Sequence, residues 1–265
     1  MYPHELFWGI SLYGIFIAIG IILCIVALRV YGKKIGIDPK FLDFVELNAY
    51  IAIAIGFIAA AAWQGLYDYL SNPEMGFKMT SGTTFLGGLM GGTISFLIGY
   101  WLFGRKKYNS KLIDVLPIIP CCILIAHGFG RIGCFSAGCC YGKPTDSWLG
   151  MVFPEGSPSF YAYGPGVAVY PTQLFEAIFL FLMFGLTSYL LLKKNFKYNI
   201  SVYLLGYGIF RFFIEFIRDD DRGQFIGQLS PSQFWSIMMV IASVVVFFLM
   251  RKFSPTPKPE NKANI

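Results

Sequence analysis

Residues 127–142 read HGFGRIGCFSAGCCYG and place a histidine, an arginine, a run of glycines and three cysteines at the end of an apolar stretch. The residues before them, from about 112 to 133, form a hydrophobic segment long enough to cross a bilayer. An ionisable group at membrane depth carries a desolvation cost and is a functional-site candidate by default. Arg131 and His127 therefore draw attention first, and the rest of the chain decides whether a membrane is the right setting.

It is. Of 265 residues, 56% are hydrophobic and only 14% charged, too few to cover a water-soluble domain of this length. Mean hydropathy is +0.60. Apolar segments recur at about 7–30, 43–66, 84–104, 112–133, 172–192, 200–217 and 231–250, which predicts an all-α polytopic membrane protein of seven spans. Basic residues alternate with these spans. Arg29, Lys33, Lys34 and Lys40 follow the first; Arg105, Lys106, Lys107 and Lys111 the third; Lys193, Lys194 and Lys197 the fifth; Arg251, Lys252, Lys258 and Lys262 the seventh. Lys78, Lys143, Arg218 and Arg222 fall on the other side, with Arg131 and Arg211 near it. The excess predicts an N-terminus outside and a C-terminus in the cytoplasm. The net charge of +6 is thus a topology signal, and no nucleic-acid binding is expected.

The first segment lacks a basic leader region and a small-residue cleavage site, so it reads as a retained span. Residues 1–253 read as one transmembrane domain. Residues 134–171, rich in Gly, Pro, Ser and Tyr, form its small extracytoplasmic cap. The Pro- and Lys-rich tail, 254–265, is expected to be disordered in the cytoplasm. The acidic turn from Asp219 to Arg222 reads as a solvated loop ending a helix. The glycines of the third and fourth spans, Gly87, Gly88, Gly91, Gly92, Gly128, Gly130 and Gly133, suit close helix packing. Those flanking Arg131 could also open backbone N–H groups to an anion.

Tyr207, Arg211 and Glu215 recur at i, i+4 and i+8, forming one polar stripe on a helix otherwise built of Phe, Ile and Leu. Arg211 and Glu215 could be a buried ion pair that locks helices together. With Arg131 at the same outer depth, a shared anion explains both arginines better than mutual packing. In YPTQLFE, residues 170–176, Pro171 suits a first helical turn and Gln173 faces the same way as Glu176. Asp114 is expected to pair with loop lysines. Cys24, Cys121 and Cys122 read as small core residues. Cys134, Cys139 and Cys140, with His127, resemble a metal set by type but not by spacing, since there is no CxxC and no second ligand pair. No metal or cofactor is expected, although a disulfide among the three would staple the loop beside Arg131 in an oxidising compartment. His127 lies four residues before Arg131 and so shares its helix face. A neighbouring cation and desolvation both favour neutral imidazole, the form a general base for a thiol requires.

Together these blocks resemble the bacterial prolipoprotein diacylglyceryl transferase family. GRIGCFSAGCCYG, residues 130–142, is similar to that family's GRIGNFxNGExxG, and YPTQLFE to its HPSQLYE. YGIFRFFIEFIR, residues 207–218, is similar to its helix with Tyr, Arg and Glu four apart. Weaker matches are Leu12-Tyr13-Gly14 and FLGGLMGG, residues 85–92. The resemblance implies transfer of a diacylglyceryl group from phosphatidylglycerol to the lipobox cysteine thiol of a prolipoprotein signal peptide, with glycerol phosphate leaving. The setting would be the bacterial cytoplasmic (inner) membrane, among membrane lipids. His127, Arg131, Arg211, Glu215 and Tyr207 would be catalytic. Tyr13, Gly130, Gly138, Gly142, Gln173 and Glu176 would bind substrate. The chain departs from the family at Leu86, where a histidine is expected, and at Cys134, Ala137 and Cys139. The phosphate-holding half is kept and the thiol-handling half is altered, so His127 becomes the candidate base. Two other readings stay open: a same-scaffold lipid or glycerol transferase with another acceptor, and a non-catalytic lipid-binding or thiol-redox membrane protein. Transport is not indicated, because the important charges cluster towards one face, not at mid-membrane.

Overall fold

The computed structural model describes residues 4–7, 9–79, 85–219 and 229–253. The expected tail 254–265 and positions 220–222 of the acidic turn lie outside the described residues. Asp219, which opens that turn, is exposed.

Among the described residues the fold is all-α apart from two minimal hairpins, and seven helices are long and apolar enough to cross a membrane. Strands β1 (Glu5–Phe7) and β2 (Ile10–Ser11) form an antiparallel ribbon ahead of α1 (Leu12–Lys34). Ser11 Oγ accepts the N–H of Gly14 at 3.3 Å, capping α1 and moving its start past the expected residue 7. Helix α2 (Pro39–Ser71) starts on Asp38, whose side chain accepts the N–H of Lys40, with Pro39 in the first turn. Helix α3 (Phe85–Gly99) continues through one π-helical turn, Tyr100–Gly104.

The fourth span departs from expectation at both ends. Residues 112–115 form a separate short helix, α4 (Leu112–Val115), and α5 begins only at Ile119 and runs to Ala137. Pro117 disfavours helical geometry in the residue before it, whereas Pro120 fits the first turn of α5. At the other end the helix stops at Gly138, left-handed at φ 71°. Cys134 to Ala137, counted with the expected cap, are therefore helical, and the connection to the next long helix starts at 138. It contains β3 (Met151–Val152) paired with β4 (Ala168–Val169), and between them α6 (Pro158–Tyr163). Helices α7 (Thr172–Lys194), α8 (Asn199–Ile214) and α9 (Pro231–Phe253) complete the set.

These elements form two compact units, one of residues 29–115 and one of residues up to Leu28 together with those from Leu116 onward. In the first, α2 and α3 meet through small residues. A Cβ on Gly91 would collide with Ala59 Cβ, and one on Gly88 would lie 3.2 Å from Ala60 Cβ. Arg29 pairs with Glu46 at 2.5 Å and with Asp43 at 3.3 Å. Asp114, expected to pair with loop lysines, instead accepts the backbone N–H of Lys111 at 2.8 Å.

In the second unit, α5, α7 and α8 enclose Leu124, Leu180 and Met183, with Phe179, Tyr203 and Tyr207 packed against them. Phe179 stacks on Phe210 with ring centroids 4.1 Å apart. At one end of this core, buried Asn199 donates to Pro117 O and Thr187 O, tying α8 to α7 and to the start of α5. Cys121 and Cys122 are buried, as their apolar context predicts, and Cys24 is half-buried.

Gly91→Leu should destabilise the α2–α3 pair by about 1–3 kcal/mol, the usual cost of forcing side-chain volume into a packed contact. Leu89→Val, at a lipid-accessible position of the same helix, should change little; thermal unfolding of the detergent-solubilised protein compares them.

Candidate active site

Glu176 is the hub of the second unit's polar core. It sits one turn into α7, fully buried. Its Oε1 accepts the Tyr207 hydroxyl at 2.8 Å. Its Oε2 lies 3.0 Å from Arg131 Nε and 3.7 Å from Arg218 Nη1, and His127 Nε2 approaches Oε1 at 3.6 Å. A lone carboxylate at this depth would be strongly disfavoured, and two guanidinium groups and a phenol stabilise it. His127 also meets the edge of the Tyr207 ring, with centroids 5.3 Å apart.

Arg211 has its own carboxylate. Its Nη1 lies 2.7 Å from Glu215 Oε2, and both side chains are nearly buried. Its Nη2 donates to Ser232 Oγ at 2.8 Å, and Ser230 Oγ donates to Glu215 Oε1 at 2.8 Å. The ion-pair alternative for Arg211 and Glu215 is thus realised, and the pair also fastens α8 to the start of α9. The two arginines nevertheless share a neighbourhood, because the charge of Arg211 acts on Glu176, His127 and Tyr207. Neither Arg131 Nε nor Arg211 Nη1 makes an aligned hydrogen bond to its carboxylate. Neither contact is therefore the two-bond fork that saturates an arginine. Among the described residues of this cluster, the guanidinium groups of Arg131, Arg211 and Arg218 face the carboxylates of Glu176 and Glu215.

Residues expected to bind substrate divide by exposure. Tyr13 is 43% exposed. It packs beside Gly133 and lies within electrostatic range of Arg131 and the cysteines. Gly130 has room for a side chain, since a Cβ there would lie 3.6 Å from Ile17 Cδ1, an ordinary contact. Four others are committed to the scaffold. Gly138 is the left-handed cap of α5. A Cβ on Gly142 would lie 2.5 Å from Ile217 O, so the backbone's close approach explains that glycine without a ligand. Gln173, fully buried, donates to Cys139 O at 2.6 Å. Glu176 holds the arginines. Leu86 falls within α3, with its side chain outside the described part.

Cys134, Cys139 and Cys140 come together, with their three sulfurs within 4.8 Å of one another. All three are free thiols, half-buried. Sulfur hydrogen bonds from Cys134 and Cys139 pull the Cys140 thiol below the usual thiol range, helped by Arg218 and Arg131, despite partial burial. The same sharing, first with Cys134 and then with Cys140, pushes Cys139 up.

Three participants escape a reading of the sequence alone. Arg218 reads there as a loop charge, although it continues the stripe from Arg211 and Glu215 at i+3. Ser230 and Ser232 carry no chemical signal of their own, although SPSQ, residues 230–233, is a helix-start signature. Ser230 Oγ accepts the N–H of Gln233 at 3.2 Å, and Gln233 Oε1 accepts the N–H of Ser230 at 3.1 Å, a reciprocal capping box.

Fold and site together define a multi-pass membrane protein with an arginine-rich polar core. Its sequence from residue 4 to residue 249 matches the family described as prolipoprotein diacylglyceryl transferase. A phosphatidylglycerol–prolipoprotein diacylglyceryl transferase of Clostridium tetani is 34% identical over 254 residues, covering 93% of this chain and 96% of that protein. A second protein of that name from Clostridium perfringens is 32% identical, covering 89% of each. One from Francisella tularensis is 34% identical, covering 78% of this chain and 77% of its own. The chain belongs to the prolipoprotein diacylglyceryl transferase family.

If Glu176 anchors the core, Glu176→Gln should cost about 3–5 kcal/mol, the range for breaking a buried ion pair. Tyr207→Phe, which removes one hydrogen bond, should cost about 1 kcal/mol. Equal losses in thermal or denaturant unfolding would remove Glu176 from its central place.

Proposed function

We propose that this chain transfers the diacylglyceryl group of phosphatidylglycerol to the cysteine thiol in the lipobox of a prolipoprotein, releasing glycerol phosphate. The observation that carries the reading is the cluster of Arg131, Arg211 and Arg218 about two carboxylates, in a chain of this family. Phosphatidylglycerol brings an anionic phosphate diester, and cleavage beside that phosphate leaves a more highly charged monoester. Guanidinium groups fixed in a low-dielectric site stabilise that growing charge more than they stabilise the ground state.

Arg131 is the foremost candidate to touch the phosphate. Its side chain is 14% exposed, against 8% for Arg211 and 2% for Arg218. Arg211 supports it from α8, and Glu176 orients Arg131 through Nε. The thiol must lose its proton to attack. His127 is the proposed base, because its side chain, 28% exposed, is more accessible than those of the three arginines and is held against Glu176. Tyr207 acts through Glu176 as a positioning residue. The basic residues after the first, third, fifth and seventh spans support an N-out, C-in orientation in a bacterial cytoplasmic membrane, with the cap and this cluster at the outer face.

Complementation of cells depleted of their own diacylglyceryl transferase tests the proposal, read as lipidation of a reporter precursor. The wild-type chain should rescue. Arg131→Ala should reduce transfer at least about 100-fold, the scale of losing one preorganised charge donor, and Arg211→Ala should abolish rescue. Full transfer in His127→Ala beside a dead Arg211→Ala would discard the base assignment. Correct insertion without rescue would turn the reading towards a different acceptor on the same scaffold.

A further inference from the structure

The thiol-handling half of the site is where this chain departs from its family's pattern, and there the fold assembles something the spacing concealed. Cys134 lies in the last turn of α5, three residues after Arg131 and seven after His127, so the three side chains share one helix face. Cys139 and Cys140 follow the left-handed Gly138. Cys140 itself has φ 61°, a conformation that is costly for a residue with a Cβ. That backbone is held by buried side chains, since Gln173 Nε2 donates to Cys139 O at 2.6 Å and Thr172 Oγ1 donates to Cys140 O at 2.8 Å. The turn folds back so that Cys139 Sγ lies 3.7 Å from Cys134 O. Three sulfurs consequently stand within 4.8 Å of one another, and no fourth His, Cys, Asp or Glu ligand atom joins them among the described residues.

Three preorganised thiols with a missing fourth ligand are the donor set of a zinc site that keeps one position open. We propose that Cys134, Cys139 and Cys140 bind one Zn2+ whose fourth position takes the acceptor thiol as a thiolate. Tetrahedral Zn–S bonds of about 2.3 Å place sulfurs about 3.8 Å apart, within reach of side-chain rotation from the observed cluster. Three thiolates on Zn2+ leave one net negative charge, and Arg131, one turn before Cys134 on the same face of α5, offsets it. All three cysteines are half-buried, so the cluster is not sealed from its surroundings.

The inference rests on the proposed transfer reaction and says how its nucleophile is made. On binding, the acceptor S–H gives its proton to a base, with His127 on the same face of α5 as the candidate, and its sulfur completes the tetrahedron. A sulfur electron pair then attacks the glyceryl carbon bonded to the phosphate oxygen. The S–C bond forms, the C–O bond breaks, and the oxygen leaves with its electron pair as glycerol phosphate. Zinc stays divalent, and the thioether product, a poorer ligand than a thiolate, is released.

The test uses the full chain, purified reduced in detergent. Metal analysis after Zn2+ loading should find about one zinc per chain, lost about tenfold or more in each of Cys134→Ser, Cys139→Ser and Cys140→Ser but kept in Cys24→Ser. Co2+ in place of Zn2+ should give the strong visible absorption of a tetrahedral thiolate site. A synthetic lipobox peptide should shift that spectrum, and its Cys→Ser counterpart should not. No stoichiometric metal, or a cobalt spectrum indifferent to the thiol peptide, overturns the inference, as does a disulfide within the trio that persists in the active enzyme. Lipid transfer is assayed on the same preparation. Transfer that survives metal removal and the Cys134→Ser substitution defeats the metal site and leaves the transferase reading standing. A peptide-responsive cobalt site in a protein that moves no lipid does the reverse.

Discussion

A buried carboxylate is the constraint around which the rest of this structure is arranged. Glu176 is closed off from solvent in the wall of a membrane protein, where an uncompensated negative charge is costly. Its compensation comes from three directions: Arg131 on α5, Tyr207 on α8 and Arg218 just beyond α8. No one of these segments can be displaced without exposing the others to an unpaired charge. The apolar packing of Leu124, Leu180 and Met183 holds α5, α7 and α8 together, but such contacts tolerate sliding and repacking. The Glu176 cluster fixes which face of each helix looks inward.

The cap obeys the same logic through its backbone. Gly142 N donates to Tyr170 O at 2.8 Å, and Lys143 N donates to Ile217 O at 2.8 Å. The segment after the cysteines is thereby joined to the entrance of α7 and to the segment that ends α8. The 3-10 turn Glu215–Ile217 ends in Arg218 with extended backbone, and its bridge to Gly142 presents that guanidinium to Glu176. Gly142 has no side chain because Ile217 O occupies the space. Gly142 thus lets two chain segments meet, and the site's geometry depends on that meeting.

What is legible in the sequence follows from which signals are local. Hydropathy over about 20 residues identifies seven spans, because burial of the backbone in lipid demands uninterrupted helices. The stripe of Tyr207, Arg211 and Glu215 is visible because helical periodicity is local too. Helix ends are less visible: Pro117 separates α4 from α5, and α5 runs on to Ala137, beyond where the polar residues suggest a stop. The central place of Glu176 is hidden in the sequence because its charged and phenolic partners lie on other segments. Arg218 is hidden because the helix tightens and ends before it, so its place in the stripe depends on a 3-10 turn. The cysteine trio has no recognisable spacing because a left-handed glycine and a left-handed cysteine bring positions 134, 139 and 140 together.

Charge balance connects the scaffold to the proposed chemistry. Arg131, Arg211 and Arg218 share two carboxylates in a medium where each imbalance is felt strongly. The headgroup of phosphatidylglycerol, the lipid of the proposed reaction, carries an anionic phosphate, and guanidinium groups held in such a medium are suited to a phosphate whose charge grows on cleavage. The ion pairs that orient the helices would then also set the electrostatics in which that proposed chemistry takes place.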